Sequence, residues 1–90
     1  MSVSIEIPSY LQPYANGKEI LEAEGGTVGE CLEDIVRQFP GIEKMLFDSD
    51  GNIYGYVGIY VNGEDAYPEE LLKPVKDGDK IQVLYIIGGG

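Results

Sequence analysis

The run Thr27-Val28-Gly29-Glu30-Cys31-Leu32-Glu33-Asp34-Ile35-Val36-Arg37-Gln38-Phe39-Pro40-Gly41 decides the fold. Val28, Cys31, Leu32, Ile35, Val36 and Phe39 fall at i, i+3, i+4, i+7, i+8 and i+11, one continuous apolar stripe. Glu30, Glu33, Asp34, Arg37 and Gln38 occupy the rest of the circumference, so the segment is an amphipathic helix with one face to bury. Thr27 and Glu30 have capping-box spacing, in which each side chain satisfies a free backbone N–H of the first turn. Pro40-Gly41 stops the helix.

Working outward, the flanking segments change period from 3.6 to 2. Val3, Ile5 and Ile7 alternate with Ser4 and Glu6 as a half-buried strand, which Pro8 ends. Tyr10-Leu11-Gln12-Pro13-Tyr14 is irregular, Asn16-Gly17 is a turn, and Lys18 to Glu24 reads as a second strand that forms a hairpin with the first. After the helix, Ile42 to Phe47 suggests a further short helical turn, and Asp48 to Asn52 a loop. Ile53 to Val61 reads as a third strand, with Tyr54, Tyr56, Gly58 and Tyr60 on one face. Asn62-Gly63 turns into a short edge strand within Glu64 to Tyr67, and Pro68 opens a single helical turn. Lys76-Asp77-Gly78-Asp79 delivers the last strand, Lys80 to Ile87. One helix stripe covers one face of a four- or five-stranded mixed sheet, an α+β, two-layer architecture. A right-handed crossover is expected if the helix joins parallel neighbours.

The last strand runs into Gly88-Gly89-Gly90. Glycines have no side chain to anchor and lose the most freedom when ordered. The expected organisation is therefore a folded domain over residues 1–87 and a flexible tail over 88–90. At about 3.3–3.6 Å per residue, such a tail reaches about 10 Å. It would enter a channel too narrow for any residue with a Cβ. The alternative is a frayed domain end with no task.

The composition excludes several functions. Sixteen acidic residues against six basic ones give a formal charge of −10, which repels phosphate backbones and favours a basic partner. No apolar run approaches the ~18 residues of a membrane span, and Met1-Ser2-Val3-Ser4 lacks a basic region followed by an apolar stretch, so no signal peptide is expected. A soluble, cytoplasmic protein is expected. Histidine is absent, which removes the commonest general base and metal ligand. The single cysteine, Cys31, lies on the apolar stripe and reads as a core residue. Asp48, Asp50 and Asn52 begin like a calcium loop, but no glutamate stands at its twelfth position. No metal site, catalytic constellation or nucleotide-binding motif is expected.

The segments Ile59-Tyr60-Val61-Asn62-Gly63-Glu64-Asp65 and Asp77-Gly78-Asp79-Lys80-Ile81, followed by a strand that ends in Gly-Gly, carry a resemblance. Ile5-Glu6-Ile7-Pro8, Leu11-x-Pro13, Thr27-Val28-Gly29 and Pro40-Gly41-Ile42 extend it over the whole chain. The sequence resembles the ubiquitin-like sulfur carriers of the MoaD/ThiS type, among them the small subunit of molybdopterin synthase and the thiamine sulfur carrier. Within that group it is most similar to the carrier that feeds a cysteine synthase. The resemblance implies a ubiquitin-like β-grasp fold and a chemistry centred on Gly90, with Gly88 and Gly89 giving reach. An ATP-using adenylyltransferase related to ubiquitin-activating enzymes would adenylate Gly90, and a sulfur donor would convert it to a thiocarboxylate. The sulfur would pass to an acceptor, either a cysteine-synthase-like enzyme or the large subunit of molybdopterin synthase. The chain itself would be a protein co-substrate without a bound cofactor. Leu84, Ile86, Tyr56 and Tyr60 are the expected partner-docking patch, unless Tyr10 or Tyr14 covers Leu84 and Ile86. Two other readings stay open: a ubiquitin-like modifier joined to lysines through Gly90, and a plain interaction domain.

Overall fold

The computed structural model describes residues 2–86. Five strands form one mixed sheet: β1 (Val3–Glu6), β2 (Ile20–Ala23), β3 (Val57–Val61), β4 (Glu64–Asp65) and β5 (Lys80–Tyr85). Their order is β2-β1-β5-β3-β4, with β1 and β5 parallel and the other neighbours antiparallel. One main helix, α1 (Val28–Gln38), packs on the sheet, and a single helical turn, α2 (Glu43–Leu46), follows it. This is the expected β-grasp layout. The helix does not join adjacent parallel strands, because β2 is an edge and β3 lies beyond β1 and β5.

The stripe on α1 does what its spacing dictates. Val28, Cys31, Leu32 and Ile35 are fully buried against Ile5, Ile59, Ile81 and Val83 of the sheet's inner face. Burying one such aliphatic side chain stabilises the fold by about 1.5–3 kcal/mol. The Thr27 hydroxyl accepts from the Glu30 N–H at 3.1 Å, as a capping box requires. The Glu30 carboxylate turns one residue further back, accepting from the Gly26 N–H at 2.7 Å. Segment 73–75 then clasps the helix start, with Val28 N–H donating to Lys73 and Val75 N–H donating to Gly26.

Several boundaries differ from the sequence reading. The stretch after Tyr10 is ordered as a 3-10 turn over Gln12–Ala15. The turn after Pro68 begins only at Glu70, as a 3-10 turn to Leu72. The third strand starts at Val57 and not at Ile53, because Ile53 bridges back to Phe47 and the Tyr54 N–H donates to Leu46. The last strand ends at Tyr85.

Candidate functional site

β5 is held from both sides, by β1 and by β3, and its Ile81 and Val83 are buried. Its direction is therefore fixed by two ladders. The start of the strand is locked by a polar interlock between two turns. The Asn62 side chain donates to Asp79 at 3.0 Å and accepts from the Lys80 N–H at 3.0 Å. Asp79 also accepts from the Lys76 N–H at 2.9 Å. These bonds, Asn62's first, hold the Asp79 carboxyl below its usual range. Asn62 has φ 51°, a left-handed conformation that asparagine tolerates better than most residues.

At the other end the pairing with the β3 side runs past Tyr85. Ile86 N–H donates to the Tyr56 carbonyl at 2.7 Å, one pairing beyond the strand. Leu84 pairs with Gly58, and a methyl group at Gly58 would stand 3.0 Å from Ile86 Cδ1. Gly58 is thus a notch in which the Ile86 side chain lies, with Tyr60 beside it. Leu84 is 42% exposed and Ile86 49% exposed. Neither Tyr10 nor Tyr14 is seen covering them. Tyr10 packs on Tyr85, centroid to centroid 4.7 Å, and Tyr14 packs over Gly41.

Of the four expected patch residues, Leu84, Ile86 and Tyr60 gather around Gly58, whereas Tyr56 does not join them. The chain bends at Gly55-Tyr56, and strand alternation fails there. Tyr56 instead stacks on Tyr54 at 5.0 Å and meets Tyr85 edge-on at 5.2 Å. Tyr85 shares the phase of Ile81 and Val83 along β5, so it lies on the other face from Ile86, while Tyr54 reaches round to the Ile86 side. Burial, then neighbouring tyrosines, pushes the Tyr10 and Tyr56 hydroxyls up. Among the described residues the buried Tyr10 hydroxyl oxygen has no hydrogen-bond partner.

The sequence reading missed Tyr54 and Tyr67 beside Ile86, and Tyr85 as a partner of Tyr10 and Tyr56. A groove of about 260 Å³ beside the exit is lined by Tyr54, Gly58, Tyr60, Tyr67 and Ile86, among others. Tyr67 is 73% exposed. The density of tyrosines after residue 53 was the available signal. Further along the outer face the surface turns polar: Gln82 donates to Glu6 at 2.9 Å and Lys80 lies 3.6 Å from it. The Gln82 hydrogen bond first, and Lys80 second, hold the Glu6 carboxyl down.

Gly88, Gly89 and Gly90 lie outside the described residues. Cys31 is buried and its thiol is pushed up by burial, then by Asp34 and Glu30, which leaves it a core group. Among the described residues no group of His, Cys, Asp or Glu is arranged to hold a metal. No helix among them is long and apolar enough to cross a membrane.

The ThiS family model matches residues 5–90. The chain belongs to the ThiS family. It is 34% identical to the sulfur carrier protein CysO of Mycobacterium tuberculosis, covering all of both chains. The CysO chain in the crystal structure of the Amycolatopsis orientalis BexX/CysO complex superposes with a TM-score of 0.87 at 32% identity, over 98% of this chain and 99% of that one. SAMP1 of Haloferax volcanii superposes with a TM-score of 0.85 at 26% identity, over the whole of both.

Proposed function

We propose that this ThiS-family chain is a sulfur carrier for biosynthesis, with cysteine or a related amino acid as the product and molybdopterin next. The observation that carries the reading is full-length similarity to CysO in a chain whose central strand heads toward a terminal Gly-Gly. The chain is a co-substrate. A carboxylate is a poor acyl donor because oxide is a poor leaving group. The Gly90 carboxylate attacks the α-phosphorus of ATP on an adenylyltransferase and releases pyrophosphate. Sulfide sulfur from a donor then attacks the acyl-adenylate and expels AMP, leaving a C-terminal thiocarboxylate. That sulfur is the nucleophile handed to the acceptor synthase. Leu84, Ile86 and Tyr60 around the Gly58 notch, with Tyr67 beside them, form the docking face at the tail's root. Exposed apolar and tyrosine surface of this kind suits a partner interface.

The test is intact mass spectrometry of the chain co-produced with its activating enzyme. The expected result is exchange of one oxygen for sulfur, located to Gly90 by fragmentation, and its complete loss in a variant lacking Gly89-Gly90 whose melting temperature is unchanged. Sulfur loading that survived the truncation would overturn the reading. The likeness to SAMP1, a modifier, favours a second outcome: conjugates on lysines of other proteins, visible as a ladder on a denaturing gel.

A further inference from the structure

A second concave surface lies on the helix side and has no lining residue in common with the groove at the tail's root. Its volume is about 430 Å³, inside the range of about 300–1,000 Å³ typical of concave binding sites. The floor is apolar: Val36 of α1, Phe47 after α2, and Leu71. Leu71 can lie this close because residue 29 is glycine; a methyl group there would stand 2.9 Å from the Leu71 carbonyl oxygen. The rim carries Glu30, Glu33, Glu43 and Asp48.

Two of these carboxylates already have structural partners. Glu30 accepts from Gly26 N–H, and Asp48 accepts from the N–H groups of Asp50 and Asn52. The other two do not. The Glu33 and Glu43 carboxylates take part in no ion pair or hydrogen bond among the described residues; the cations Arg37, Lys76 and Lys80 pair with Asp34, Asp79 and Glu6 instead. An apolar floor with an unneutralised anionic rim is the complement of a segment with apolar anchors and lysines or arginines beside them.

We propose that this groove docks a cationic, amphipathic segment of a partner protein, at a site separate from the tail's root. A second copy of the chain does not fit, since each copy brings a formal charge of −10. Long-range attraction would speed the encounter, and the floor would give it a fixed place. The docking does not depend on the chemistry at Gly90, so the two ideas stand or fall separately.

The test titrates the full-length, isotope-labelled chain with a synthetic helical peptide that carries lysines on one face and leucines on the other, followed by NMR. Amide shifts are expected to concentrate at Gly29, Glu33, Val36, Phe47 and Leu71. The double variant Glu33→Lys/Glu43→Lys should weaken the complex by about ten-fold or more, and Glu33→Gln/Glu43→Gln by an intermediate factor. Glu19→Lys/Glu69→Lys makes the same change of charge on exposed positions outside the groove, and should cost less than about three-fold. The chain lacking Gly89-Gly90 should bind the peptide as the full chain does. Equal losses in the two lysine variants, shifts scattered over the acidic surface, or equally tight binding of a peptide with its leucines replaced by serines would each overturn the proposal.

Discussion

The two ends of β5 are built from different chemistry. At its start, Asn62, Lys76, Asp79 and Lys80 exchange directional hydrogen bonds, and Ser2 adds two more by donating its N–H to Asp77 and accepting from Gly78. At its finish, Tyr10, Tyr54, Tyr56 and Tyr85 make ring contacts while Leu84 and Ile86 stay open. A directional network fixes register, because each bond fails if the strand slips. A surface of rings and aliphatic groups tolerates small shifts and gains more by being covered. The first end is thus suited to holding the strand, and the second to meeting a partner.

The sharpest way to break this contrast is to charge the open end. Ile86→Asp removes an exposed apolar group and places a carboxylate in the proposed docking face. Affinity for the proposed activating enzyme should fall by about 30-fold, the loss typical of a central interface residue. Stability in urea should hardly change, since little is buried there. The two readouts are a binding isotherm and a denaturation midpoint. Unchanged affinity would show that the partner does not touch this end.

Next in size is the opposite experiment at the closed end. Asn62→Ala deletes two side-chain hydrogen bonds and places alanine at a positive φ, at a cost of about 2 kcal/mol in urea unfolding. Partner affinity should stay within about two-fold. The pH dependence identifies the mechanism. Asp79's folded pKa is lowered chiefly by Asn62, so its contribution is fully present above the ordinary carboxylate pKa of about 3.9 and is lost as pH falls through the lower folded value. The stability gap between the parent and Asn62→Ala should therefore be widest near neutrality and narrow on the acid side. A gap independent of pH would assign the loss to backbone strain and the Lys80 N–H bond, and not to Asp79.

What the sequence disclosed follows the same division. The helix was legible because its stripe is local, each apolar residue three or four positions from the next. The hairpin and the course of β5 were legible from alternation and turn residues. The third strand was misread at its start, since Tyr54, Tyr56, Gly58 and Tyr60 keep a period of two straight through the bend at Gly55-Tyr56. What ends the strand is a hydrogen bond from Tyr54 to Leu46, and periodicity carries no trace of such a contact. Asn62-Gly63 and Asp77-Gly78 announced themselves as turns. That the side chain of one turn would bond the aspartate after the other depends on strand order, which only the folded chain supplies. The same holds for Tyr56, placed in the docking patch by alternation and turned toward Tyr85 by the bend. The helix-side groove was not legible either, since it joins α1, the segment after α2 and Leu71, elements far apart in the chain.

The smallest effect tests the notch. Gly58 has ordinary strand geometry, so no positive φ demands glycine there. Its requirement comes from Ile86, whose Cδ1 and Cγ1 would lie 3.0 and 3.4 Å from an added methyl group. The obstructing atoms belong to the end of an exposed side chain, which can change rotamer for under about 1 kcal/mol. Replacing glycine within a strand returns about 0.5–1 kcal/mol through the less mobile unfolded chain. The two nearly cancel, so Gly58→Ala should leave the urea midpoint almost unmoved. Ile86 would nonetheless be lifted from its seat. The expected signature is a KM for the proposed activating enzyme raised about three-fold with kcat unchanged, because the misplaced group acts on docking and not on the adenylation. A loss of stability comparable to that of Asn62→Ala would mean that the open end is as tightly fitted as the closed one, and the division between them would not hold.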